Sequence, residues 1–71
     1  MKITDQQIAN RIQRAYEVTT ACDDGNVHVR CNSNNTADDV QREFGHMTPS
    51  DGVQQGAVVI WVGDTMLYAN D

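Results

Sequence analysis

The chain has 71 residues, of which 39% are apolar and 21% charged, and a formal net charge of -5, so one domain is expected. No run approaches the roughly 18 consecutive apolar residues of a membrane helix. No basic leader precedes an apolar stretch, so no secretory signal is expected either. Five Lys+Arg against ten Asp+Glu match a polyphosphate backbone poorly.

Val, Ile, Leu and Phe make up only about a fifth of the chain, close to the composition at which chains stay disordered. They fall, however, into periodic segments separated by turn residues, which predicts folding. Domains this small bury only about 60% of their unfolded surface and are often stapled or oligomeric.

The first element is a helix over Asp5 to Tyr16. Thr4 and Gln7 have the spacing of a capping box, Ile3 and Ile8 that of a hydrophobic staple, and Asp5 suits the positive end of the dipole. Ile8, Ile12, Ala15 and Tyr16 recur at helical spacing. A hairpin follows, with strands over Val18 to Cys22 and Val27 to Cys31 joined at Asp24-Gly25, because both central residues of such a turn need positive φ. In that register Cys22 faces Val27, Thr20 faces Val29 and Val18 faces Cys31. All six share the apolar side, and Glu17, Thr19, Ala21, His28 and Arg30 share the polar one.

Thr36 is the expected cap of a second helix over Ala37 to Phe44, with Asp38 and Asp39 in its first turn, an Asp38–Arg42 pair, and Gly45 as its C′ terminator. Residues 46–56 read as a loop, with at most one helical turn at Pro49 and a length that suggests a functional segment. A second hairpin spans Ala57 to Val62 and Thr65 to Ala69 around Gly63-Asp64. A regular register across it places Val62 opposite Thr65, Trp61 opposite Met66, Ile60 opposite Leu67 and Val59 opposite Tyr68.

The order α-β-β-α-β-β predicts a single α+β domain over residues 1–71. It is a four-stranded, mainly antiparallel sheet with two helices on one face, a permuted ferredoxin-like arrangement. Two short helices cover one sheet face only, yet the second hairpin is apolar on both sides. One side holds Val58, Ile60, Val62, Leu67 and Ala69, and the other Val59, Trp61, Met66 and Tyr68. The set with Trp, Tyr and Met is the candidate interaction patch.

Sites of reactive chemistry have little support. Cys22 and Cys31 sit near opposite ends of the ladder, roughly 13 Å apart at ~3.3 Å per residue. A disulfide needs Cα atoms within about 7 Å, so two reduced and largely buried thiols are expected, as in a cytoplasmic protein. A zinc set of Cys22, His28, Cys31 and His46 lacks metal-ligand spacing, and alternation sends His28 to the face opposite both cysteines. No base is placed beside a nucleophile, and no phosphate-cradling glycine loop is present. A helix-turn-helix reading would put Asp51 and Gly52 inside a recognition helix without Arg or Lys.

These observations lead to an expectation of a non-enzymatic protein-binding module without cofactor or metal. Its format is that of a small acidic inhibitor or adaptor of phage or mobile-element type, aimed at a host nucleic-acid-handling protein in the manner of an anti-CRISPR. The partner-binding candidates are Val59, Trp61, Met66 and Tyr68, with Asp38 and Asp39 as acidic elements that imitate a nucleic-acid backbone. A homodimer through the patch or through the last strand, and a nucleic-acid binder stacking bases on an open sheet, are the alternatives.

Overall fold

A computed structural model describes residues 3–69, and the acidic residue Asp71 lies outside the described residues. The elements are α1 (Asp5–Ala15), β1 (Thr19–Asp23), β2 (Asn26–Cys31), α2 (Asn34–Phe44), β3 (Val58–Val62) and β4 (Thr65–Ala69). The strands lie in sequence order β1-β2-β3-β4. The outer pairs are antiparallel and the central β2–β3 pair is parallel, with α2 in the crossover. Both helices pack on one face. Ile8, Ala9 and Ile12 of α1 and Ala37, Val40 and Phe44 of α2 bury one core with Val27, Val29, Cys31, Val58 and Ile60. The α+β expectation, with its element order and its helices on one side, is what the structure shows.

Helix α1 starts as its sequence dictates. Thr4 Oγ1 accepts from Gln7 N at 3.1 Å, and Gln7 Oε1 accepts from Thr4 N at 3.0 Å, so two otherwise orphaned amides are satisfied reciprocally. Thr4→Ala is expected to cost about 1 kcal/mol, a fall in Tm of roughly 4–8 °C for a domain of this size. Thermal unfolding followed by circular dichroism measures it.

The first hairpin has the expected register, Cys22 opposite Val27 and Thr20 opposite Val29, and both turn residues have positive φ, 52° at Asp24 and 85° at Gly25. One expectation fails there. Cys31 is buried but Cys22 is exposed: β1 is an edge strand, where the Cys22 thiol donates to Gln6 Oε1. Burial pushes both thiols up from their ordinary pKa, and Asp5 adds to the effect at Cys22. Dithionitrobenzoate should therefore titrate Cys22 in the native protein and Cys31 only after unfolding.

Helix α2 begins three residues before the expected start. Ser33 is the N-cap, its Oγ accepting from Thr36 N at 3.3 Å, so Asp38 and Asp39 fall outside the first turn. Asp39 rather than Asp38 pairs with Arg42, at 3.4 Å. Gly45 ends the helix with φ -63°, a right-handed conformation, so it is not the left-handed terminator expected. What a side chain at Gly45 would meet is Gln41, whose backbone oxygen lies 2.5 Å from the position of a Cβ.

The segment between α2 and β3 is tied down at both ends. Ser50 N donates to Ile3 O, and Asp5 N donates to Ser50 O. Gly56 N donates to Pro49 O at 2.8 Å, and Ala57 N donates to the Asn26 side chain at 2.8 Å. At its tip Asp51 Oδ1 accepts from Val53 N and Gln54 N, both at 2.8 Å, which holds the Asp51 carboxyl below its ordinary pKa. The segment thus joins the start of α1 to the β1–β2 turn.

Candidate docking face

Strand alternation fixes what the uncovered side of the sheet carries. Val27, Val29, Val58 and Ile60 point to the helices, so His28, Arg30, Val59 and Trp61 point away. The parallel register sets His28 beside Val59 and Arg30 beside Trp61, while Thr19 and Ala21 continue the face on β1. Met66, opposite Trp61, extends it on β4. Trp61 Nε1 donates to His28 Nδ1 at 3.3 Å, with ring centroids 6.4 Å apart. The indole is held in place by its neighbours but stays half-exposed.

The second hairpin departs from the regular register at one point. Val62 opposite Thr65 and Trp61 opposite Met66 are as expected, but Ile60 faces Tyr68 and Val59 faces Ala69. Leu67 is an extra residue, a β-bulge, and everything after it changes side. Tyr68 therefore does not belong to the patch with Val59, Trp61 and Met66. It packs against the helix-side core, and its hydroxyl donates to Asp38 Oδ1. Met66 is 52% exposed and Leu67 37%.

The candidate residues fall into two groups on opposite sides of the sheet. Val59, Trp61 and Met66 share the open face. Tyr68, Asp38 and Asp39 belong to the helix side, where Asp38 is engaged by Tyr68 and Asp39 by Arg42. Residues that the patch reading left out, Arg30 and His28, complete the open face. For both the signal was present, since the polar side of the first hairpin becomes continuous with Trp61 once β2 and β3 are neighbours.

The two tyrosines brace α2 in the same manner. Tyr16 OH donates to Glu43 Oε2 at 2.7 Å near the helix end, and Tyr68 OH donates to Asp38 in its first half. Each phenol's pKa is raised above 10.0, first by the hydrogen bond its proton makes to the carboxylate and then by burial. A raised folded pKa means that the stabilisation is fully present below about pH 10 and is lost as pH climbs through the folded value. Tyrosinate absorbance against pH should show both phenols titrating late. Glu43→Gln should bring Tyr16 back toward its ordinary value while leaving Tyr68 high.

Among the described residues no group of three or more His, Cys, Asp or Glu side chains is placed to hold a metal ion, and no helix is long and apolar enough to cross a membrane. Comparison of the chain with protein-family models, curated proteins and solved structures found no match.

Proposed function

We propose that this chain is a non-catalytic protein-binding module that docks a foreign protein on its open sheet face, with Trp61 at the centre. One observation carries the reading: the helices pack on one side of the sheet, and the other side keeps Val59, Trp61 and Met66 in reach of solvent. Aromatic and Met side chains at the centre of a polar rim have the composition of an interface core.

Charge selects the occupant. The open face carries Arg30 and His28, with the Asp23 carboxylate at one end. A second copy would bring another net charge of -5. Nucleic acid would be repelled by the molecule as a whole. A protein surface that presents apolar side chains beside a carboxylate or carbonyl satisfies both halves of the face. The proposed role is that of a small acidic inhibitor or adaptor of phage or mobile-element type, working in the cytoplasm on a host nucleic-acid-handling protein as anti-CRISPR proteins do. Free thiols suit that compartment. The start of α1, the β1–β2 turn and the 51–54 turn meet at one end and gather Asp5, Asp24 and Asp51 there. That end suits a partner whose neighbouring surface is basic.

The test is affinity capture from candidate host extracts, followed by reconstitution with the purified captured protein. Binding that weakens with Trp61→Ala and survives Asp39→Asn supports the open face. Binding indifferent to Trp61→Ala overturns it. Two other results also overturn it: a dimer that forms with concentration in light scattering, and salt-sensitive binding to single-stranded RNA or DNA.

A further inference from the structure

We propose that the groove between the ends of the two helices is a second binding site, for an acidic peptide segment that places one apolar side chain in the groove and a carboxylate between Arg11 and Arg14. The groove has a volume of about 420 Å³ and is lined by Arg11, Arg14, Ala15, Glu43, Phe44 and Met47. That volume lies within the roughly 300–1,000 Å³ of ligand sites. It lies on the helix side of the molecule, so it stands independently of the open sheet face.

The floor is apolar and fixed. Phe44 is buried, and its ring meets Tyr16 edge-on with centroids 6.5 Å apart. The rim is cationic. Arg11 and Arg14 are three residues apart on α1 and so lie on one helix face. Among the described residues neither has an ion-pair partner, whereas Arg42 is paired with Asp39. Glu43 is the nearby carboxylate, and it accepts from the Tyr16 hydroxyl instead. In a chain with twice as many acidic as basic residues, two unneutralised arginines beside one apolar concavity are complementary to a carboxylate next to an apolar group. Glu43 at the same rim disfavours a polyanion and selects a ligand with a single carboxylate on the arginine side. The groove is open along its outer side, which suits a side chain carried by a peptide better than a buried acyl chain.

The test is an NMR titration of the full chain, labelled with nitrogen-15, with N-acetyl-leucyl-aspartate amide. Its uncharged leucyl-asparagine counterpart and octanoate serve as separate arms. Saturable shifts are expected at Arg11, Arg14, Ala15 and Phe44, with Val59 and Trp61 unmoved. Binding should fall by about tenfold or more for the uncharged peptide and for the Arg11→Gln/Arg14→Gln variant, since each arginine–carboxylate bond is charge-assisted. Both substitutions are at exposed helical positions where glutamine is well tolerated, so the variant keeps its fold. Arg42→Gln should bind as the parent does. Equal binding of the uncharged peptide, an unaffected double variant, shifts without saturation, or saturation by octanoate and not by the peptide would each overturn the proposal.

Discussion

Gly56→Ala is expected to remove a large share of the protein's stability, although Gly56 lies in a loop and its backbone needs no positive φ. A Cβ at Gly56 would stand 2.1 Å from Gly25 O, 2.4 Å from Gly25 C and 2.7 Å from Asn26 N. All three are backbone atoms, so no side chain can rotate out of the way. The surrounding chain is held by Gly56 N to Pro49 O, Ala57 N to the Asn26 side chain and Val27 N to Ala57 O, at 2.8, 2.8 and 2.9 Å. The last of these opens the parallel β2–β3 ladder, where Val27 is paired with Val58. Relieving the clash breaks several of these bonds. At ~1 kcal/mol for each bond lost and ~1–3 for each buried group left unpaired, the cost is at least about 3 kcal/mol. A domain of this length has about 4–10 kcal/mol in total, and small ones sit at the lower end. Gly63→Ala is the control. Its φ is +60° but nothing lies within 4 Å of the added methyl, so about 1 kcal/mol is expected. Urea unfolding of both variants decides the matter, and equal costs would mean that the 56–25 approach is not as close as described.

The same contrast explains how much of the fold could be read in the chain. The cap of α1 and the Asp24-Gly25 turn are local devices, in which residues three apart or adjacent satisfy one another, and both are found as expected. For helix α2 the expected cap was Thr36 and the observed one is Ser33, three residues earlier, since both residue types are good caps by local chemistry. The β4 bulge has no local signature, because Met66, Leu67 and Tyr68 are all compatible with a regular strand. It accompanies the Tyr68–Asp38 bond, which joins residues 30 apart in sequence. The clamping of residues 49–57 is likewise long-range, with Asn26 and Ala57 separated by 31 positions. Distant contacts of this kind also decided the candidate site. Composition pointed to an aromatic surplus in the last hairpin, and Trp61 and Met66 are part of it on the open side. The bulge took Tyr68 away, and the parallel register supplied His28 and Arg30 in its place. Asp38 and Asp39 were separated from the patch by the thickness of the sheet.

Trp61→Ala should therefore affect binding far more than stability. The indole stands on the open side and is supported by Met66 across β4 and by the His28 ring, so its removal costs cross-strand contacts of about 1 kcal/mol. Ile60, the neighbouring residue on the same strand, is fully buried, and Ile60→Ala should cost about 2–5 kcal/mol. At an interface the order reverses. A central aromatic residue typically carries 2–4 kcal/mol of binding on truncation, which weakens Kd by roughly 30- to 1,000-fold. Met66→Gln, on the same face, should give a smaller loss of binding. Tyr68→Phe should give none, because that hydroxyl serves Asp38 on the other side of the sheet. Urea midpoints and the Kd for the reconstituted partner, measured on the same four variants, separate the two faces. A docking surface on the open side requires Trp61 and Met66 to move binding while Ile60 moves stability. If Trp61→Ala instead lowers stability as much as Ile60→Ala and leaves binding intact, the indole belongs to the core and the partner lies elsewhere.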